Sequence, residues 1–162
     1  MDDATCTENL CVIPIVGMGG IGKITLAQLV YKDKMVKEHF DLQVWVCVSD
    51  EFEVLKLTKT ILEEVGLSTN DDSNNLNLLQ LALNDTLMGK KFLLVLDDVW
   101  NENYVDWEML SKPFKSGAPG SAVIVTTHND VVASIMRTVP THRLKTLLDE
   151  DCWSLFAKTC IP

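Results

Sequence analysis

The sequence predicts an α/β fold in which a mostly parallel sheet is covered by helices. Three observations carry the prediction. Apolar runs rich in β-branched residues alternate with segments of helical period, the pattern of βαβ units. A glycine-rich turn joins the first apolar run to the first helical segment. A later apolar run ends in two adjacent acids. With 162 residues the chain has the length of one ordinary domain with one core.

Taken in order, the apolar run over 10–16 is the first predicted strand. Pro14 conflicts with it, because proline removes a ladder donor, but the flanking residues are strongly apolar on both sides. The helical period after the glycines predicts a helix over 23–36. A second strand is predicted over 42–48 and a second helix over 53–65. Residues 68–75 are polar and turn-like, so they are read as a loop. A helix over 76–87 and a strand over 92–96 follow, then a strand over 122–126 and a helix over 130–136. The run over 142–144 is a weak fifth strand, and a last helix begins at about Asp149. No internal repeat, low-complexity tract or linker interrupts the pattern.

Composition narrows the function classes. The chain is 47% hydrophobic and 23% charged, far from the composition of disordered proteins. Fourteen Lys and Arg against 23 Asp and Glu give a net charge of -9, the wrong sign for a surface that neutralises a nucleic-acid backbone. Nucleic acid is therefore not expected as the main ligand. Five cysteines without a C-x-x-C pair, with Cys11 and Cys47 inside apolar runs, read as buried thiols in a reducing compartment. No apolar run nears the ~20 residues that span a bilayer, and no cleavable leader is read at the start. The expected location is the cytoplasm, or the nucleus, with no membrane span.

Three segments carry chemistry. The first is Gly17-Met18-Gly19-Gly20-Ile21-Gly22-Lys23-Ile24-Thr25, set between a strand and a helix. Glycines let the backbone turn with positive φ and approach a ligand, so that N–H groups and the helix N-terminus face a phosphate. Lys23 is placed to reach the β- and γ-phosphate oxygens as a point charge. The strict pattern G-x-x-x-x-G-K-[ST] fails at its last position, where Ile24 stands in place of a Mg²⁺-binding hydroxyl. Thr25 is one residue late, about 100° further round a helix. The second segment, 91–100, ends its apolar run in Asp97 and Asp98 at the carboxyl end of a predicted strand, where ligands of open α/β sheets sit. One carboxylate can hold Mg²⁺ and its neighbour can orient an attacking water. Strand alternation would turn the two to opposite faces. The third segment, 120–129, is a turn, a buried strand over 122–126 and then polar residues at its end, Thr127 and His128 among them, which can sense a γ-phosphate.

In this order and spacing, the three segments resemble the NB-ARC domain of plant intracellular disease-resistance proteins, a branch of the signal-transducing NTPases with numerous domains. Residues 40–49 and 148–156 resemble two further blocks of that family, and Trp100 after the acidic pair is similar to its coiled-coil branch. The resemblance implies a three-layer P-loop NTPase fold with spatial strand order 2-3-4-1-5. It implies a switch that holds ADP at rest, exchanges it for ATP on pathogen perception, and resets by slow hydrolysis. Gly17 to Thr25 would carry the phosphates, Asp97 the Mg²⁺ and Asp98 the attacking water, with Thr127 and His128 at the γ-phosphate. The resemblance also implies a coiled coil, leucine-rich repeats and helical and winged-helix subdomains as intramolecular partners, and oligomerisation on activation. Residues 1–162 are then expected to form part of the domain.

Two departures fall on the Mg²⁺ and γ-phosphate side. The family has Thr where this chain has Ile24, and Arg where it has His128. A lost metal ligand and a lost permanent cation are expected to weaken ATP sensing and hydrolysis more than ADP holding. They also keep open the alternative of a degenerate domain acting only as an interaction module. A catalytic P-loop kinase is the other alternative, but it needs a basic lid with clustered Arg, and none is read here.

Overall fold

A computed structural model of the chain describes residues 9–17, 22–48, 51–69 and 74–144. Its elements are β1 (Leu10–Val16), α1 (Lys23–Lys32), α2 (Lys34–His39), β2 (Leu42–Cys47), α3 (Val54–Glu64), α4 (Leu76–Leu87), β3 (Phe92–Asp97), α5 (Tyr104–Ser111), β4 (Ser121–Thr127), α6 (Asp130–Met136) and β5 (His142–Arg143). A 3-10 turn at Lys112–Ser116 follows α5. The five strands form one sheet of order β2-β3-β4-β1-β5, and every pairing among them is parallel. This is the strand order implied by the resemblance.

Parallel strands buried on both faces divide their side chains between two cores by simple alternation. Phe92, Leu94 and Leu96 of β3 join Val123 and Val125 of β4 in one core. Leu93 and Val95 join Ala122 and Ile124 in the other. The first core is capped by buried residues of α3, α4, α5 and α6. The second receives Ala27 and Val30 of α1 and Val36 of α2. The helices after β1 thus lie on the opposite face from those after β2 and β3. In open α/β sheets such a change of side opens a crevice at the carboxyl ends of the strands.

Pro14 sits in β1 without breaking its pairing with β4, where it is opposite Val125. The carbonyls of Val12 and Val16 accept from Thr138 N and Leu144 N at 3.2 and 2.8 Å. Both lie on the outer side of β1. Pro14 has the same parity, so its missing donor faces that outer side and costs the β1–β4 ladder nothing.

Several sequence expectations are corrected. The helix over 23–36 is two helices, because Asp33 has extended backbone angles and caps α2, its Oδ1 accepting from Met35 N at 2.8 Å. No helix was expected between 100 and 120, yet α5 and the 3-10 turn bury Trp107, Leu110 and Phe114 in the first core. β3 runs one residue further than read and includes Asp97, while β4 extends one residue at each end. Cys47 is exposed at the end of edge strand β2, whereas Cys11 is buried as expected. Residues 70–73 of the expected loop and the helix expected from Asp149 lie outside the described residues, as do Cys6, Cys152 and Cys160.

Packing is tight where the 3-10 turn meets the sheet. A Cβ added at Gly117 would lie 2.5 Å from Cε1 of buried Phe92 and 2.9 Å from Ser121 Oγ. Gly117→Ala is therefore expected to destabilise the fold by about 1–3 kcal/mol through overpacking. Urea unfolding should show a lower midpoint with an unchanged slope, and an unaltered midpoint would mean that the Phe92 ring yields freely.

Candidate functional site

The crevice at the carboxyl ends of β1, β3 and β4 holds a cavity of ≈ 360 Å³ lined by Gly22, Lys23, Ile24, Thr25, Asp97, Asp98 and Thr126. Residues 75 positions apart in sequence meet there because β4 lies between β1 and β3.

One wall is the first turn of α1. Gly22 precedes the helix in the left-handed region at φ 92°, and no side chain caps the helix N-terminus. The first N–H groups of a helix have no intrahelical partner, and they carry partial positive charge. An uncapped first turn with a lysine at its first position suits an anion. Lys23 Nζ donates to the Gly17 carbonyl at 2.6 Å, a bond between the two ends of the loop that links β1 to α1. Gly17 N in turn donates to Thr127 O at 3.3 Å, tying the start of that loop to β4.

The facing wall is acidic. Asp97 closes β3 and is only 6% exposed. Its Oδ1 accepts from Thr126 Oγ1 at 2.6 Å. Asp98 has left the strand: its φ is 62°, the left-handed region that aspartate tolerates better than most residues. This turn overrides strand alternation and brings both acids to one cavity, contrary to the expectation of opposite faces. Two carboxylates facing a polyphosphate in so small a space repel it unless a cation lies between them. Carboxylate oxygens are hard donors of the kind Mg²⁺ takes, with phosphate oxygens and water completing its shell. The donor set therefore fits Mg²⁺.

A model of the NB-ARC domain matches residues 3–162. The chain belongs to the NB-ARC family. It is 49% identical over 154 residues to RPP13-like protein 1 of Arabidopsis thaliana, covering 94% of this chain and 14% of that protein. It is 44% identical over 156 residues to disease resistance protein RGA2 of Solanum bulbocastanum, covering 96% of this chain and 16% of the relative. Among solved structures, the ORC2 protein of Aeropyrum pernix in its ADP form is similar with a TM-score of 0.66 at 16% identity, over 95% of this chain and 47% of the other. That likeness is one of fold. The chain spans about one seventh of the length of these two plant relatives.

Within this NB-ARC chain the predicted site residues divide into groups. Gly22, Lys23, Ile24, Thr25, Asp97 and Asp98 converge on the cavity. Met18, Gly19, Gly20 and Ile21 lie outside the described residues. Ile24 presents an apolar side chain, 49% exposed, at the cavity wall. Thr25 lines the cavity too, since the first turn of α1 meets it end on and the 100° rotation does not remove it. Thr127 does not line the cavity. It is fully buried, its hydroxyl donating to Val99 O at 2.6 Å and accepting from Asn129 N at 3.1 Å. His128 is exposed and its ring packs edge-on against Trp100, with centroids 3.9 Å apart. Thr126, read only as the end of a strand, is the cavity residue that sequence reasoning missed.

Proposed function

We propose that this NB-ARC chain is the ADP- and ATP-binding core of a molecular switch in a plant disease-resistance receptor, with weak or no ATP hydrolysis of its own. The observation that carries the reading is the convergence of Gly22, Lys23, Thr25, Asp97 and Asp98 on one cavity at the carboxyl ends of β1 and β3. Gly17 to Thr25 hold the phosphates, with Lys23 exchanging its bond to Gly17 for phosphate oxygens. Asp97 holds Mg²⁺ and Asp98 orients water. Mg²⁺ supplies the charge neutralisation between phosphates and carboxylates, and the residues of the chain supply its placement.

Ile24 and His128 weigh against efficient turnover in this reading. An isoleucine at the cavity wall offers no ligand to a cation. The imidazole packed on Trp100 is a shorter group than a guanidinium and offers fewer hydrogen-bond donors. ADP holding depends less on either position. By the same resemblance, the remaining domains of the receptor contact this core and oligomerisation follows activation.

Retained nucleotide tests the proposal. Protein purified gently and then denatured should release ADP in near-equimolar amount on ion-pair chromatography. Absence of any adenine nucleotide would favour the alternative, a degenerate domain that serves as an interaction module.

A further inference from the structure

We infer that Thr126 is a positioning residue that sets the acidic corner of the cavity, holding Asp97 and Asp98 together through a single hydroxyl. Its Oγ1 donates to Asp97 Oδ1 at 2.6 Å and accepts from Asp98 N at 2.8 Å. Its carbonyl accepts from Val99 N at 2.9 Å. Three consecutive residues at the end of β3 are thus tied to one residue of β4. Thr126 is 1% exposed, so its hydroxyl is largely shielded from solvent that could replace these bonds.

A hydroxyl has one donor and two acceptor sites. The donor fixes the rotation of the Asp97 carboxylate and occupies one of its oxygens, which leaves the second for a cation. The acceptor receives the N–H of Asp98, the residue held at φ 62°. A non-glycine residue in the left-handed region persists where its surroundings over-determine it. The bond to Thr126 and the following bond from Val99 supply that determination, and they turn Asp98 into the cavity. Valine has the shape of threonine without the hydroxyl. It would leave Asp97 Oδ1 unpartnered in a buried place and Asp98 N unpartnered in a partly buried one, and the corner would rearrange to satisfy them. Thr127, the neighbouring hydroxyl, cannot substitute, because it is engaged with Val99 O and Asn129 N.

The cation-placing half of this inference rests on the nucleotide reading above, whereas the clamp itself does not. Two measurements on the whole protein separate them. Amide hydrogen exchange of ligand-free protein reads the clamp directly. Asp98 N should exchange roughly three- to tenfold faster in Thr126→Val than in wild type, with Thr126→Ser close to wild type. Fluorescent ADP titrated with EDTA or with Mg²⁺ reads the coupling. Thr126→Val should keep its affinity in EDTA and lose most of the gain that Mg²⁺ brings, while Thr126→Ser keeps that gain. If Asp98 exchanges equally slowly in wild type and Thr126→Val, the clamp is overturned. If Thr126→Ser behaves as Thr126→Val, the methyl group matters and the hydroxyl does not, which also overturns it. Should Thr126→Val lose the fold, the serine variant still decides, since it retains the hydroxyl: fast exchange of Asp98 N in folded Thr126→Ser overturns the clamp. Wild-type protein that binds no ADP in either condition would count against the proposed function and leave the exchange result standing.

Discussion

Replacing Lys23 with alanine is expected to leave the fold intact and to abolish nucleotide retention. The side chain contributes to no core cluster, so its removal costs little packing. Its contact with Gly17 O at 2.6 Å is a local one, with a residue shortly before it in the chain. Against a polyphosphate the ammonium makes charge-assisted hydrogen bonds, each about 1.5–3 kcal/mol. Two such bonds correspond to a loss on the order of 10²-fold or more in affinity, enough to strip ADP during purification. Circular dichroism and urea midpoint should match wild type while the denatured variant releases no nucleotide. Undiminished ADP in Lys23→Ala would place the phosphates elsewhere than at α1.

The second large effect concerns turnover. The isolated chain is expected to release phosphate from ATP no faster than Lys23→Ala. The double reversion Ile24→Thr with His128→Arg, in a longer chain carrying the helical and winged-helix subdomains of the family, is expected to recover slow turnover that Asp98→Ala removes. Threonine at 24 would return an oxygen to a cavity wall that now presents an apolar side chain. Arginine at 128 would start beside Trp100 and carries a permanent charge on a longer side chain. Cationic stabilisation of a transferring phosphoryl group is worth roughly 10³ to 10⁵ in rate, so that position should dominate the gain. Phosphate release followed over hours measures it. Asp98-dependent turnover by the unaltered chain would show that neither departure limits the chemistry.

The strands were legible because burial on both faces demands near-continuous apolar runs, and β1, β3 and β4 are such runs. Their spatial order was not legible from periodicity and came from the family resemblance. The break at Asp33 was missed because Val36 continues the apolar period of α1 across the interruption. α5 escaped notice for a different reason. It is only 8 residues long and runs into Pro113, so that Trp107, Leu110 and Phe114 look like isolated apolar residues until the 3-10 turn aligns them. At the site, glycine, lysine and paired acids announce themselves by type. The Thr126 hydroxyl does not, because its importance lies in a bond to a residue 29 positions away. Nor could alternation foresee that Asp98 turns back into the cavity, since its φ of 62° ends the strand rule at Asp97.

Pro14 has a consequence for the outer margin of the sheet. The segment after α6 is pinned to β1 by hydrogen bonds at two points, between Thr138 and Val12 and from Leu144 N to Val16 O. Between them stand Pro14 on one strand and Pro140 on the other, neither with an N–H to offer. A strand laid along this margin can take hold only past the proline, which is where β5 begins, His142 opposite Ile15. Sliding β5 by the two residues that preserve its facing would aim a carbonyl at a nitrogen without a hydrogen. The proline therefore acts as a register stop, and it makes the same stretch a poor template for a foreign strand.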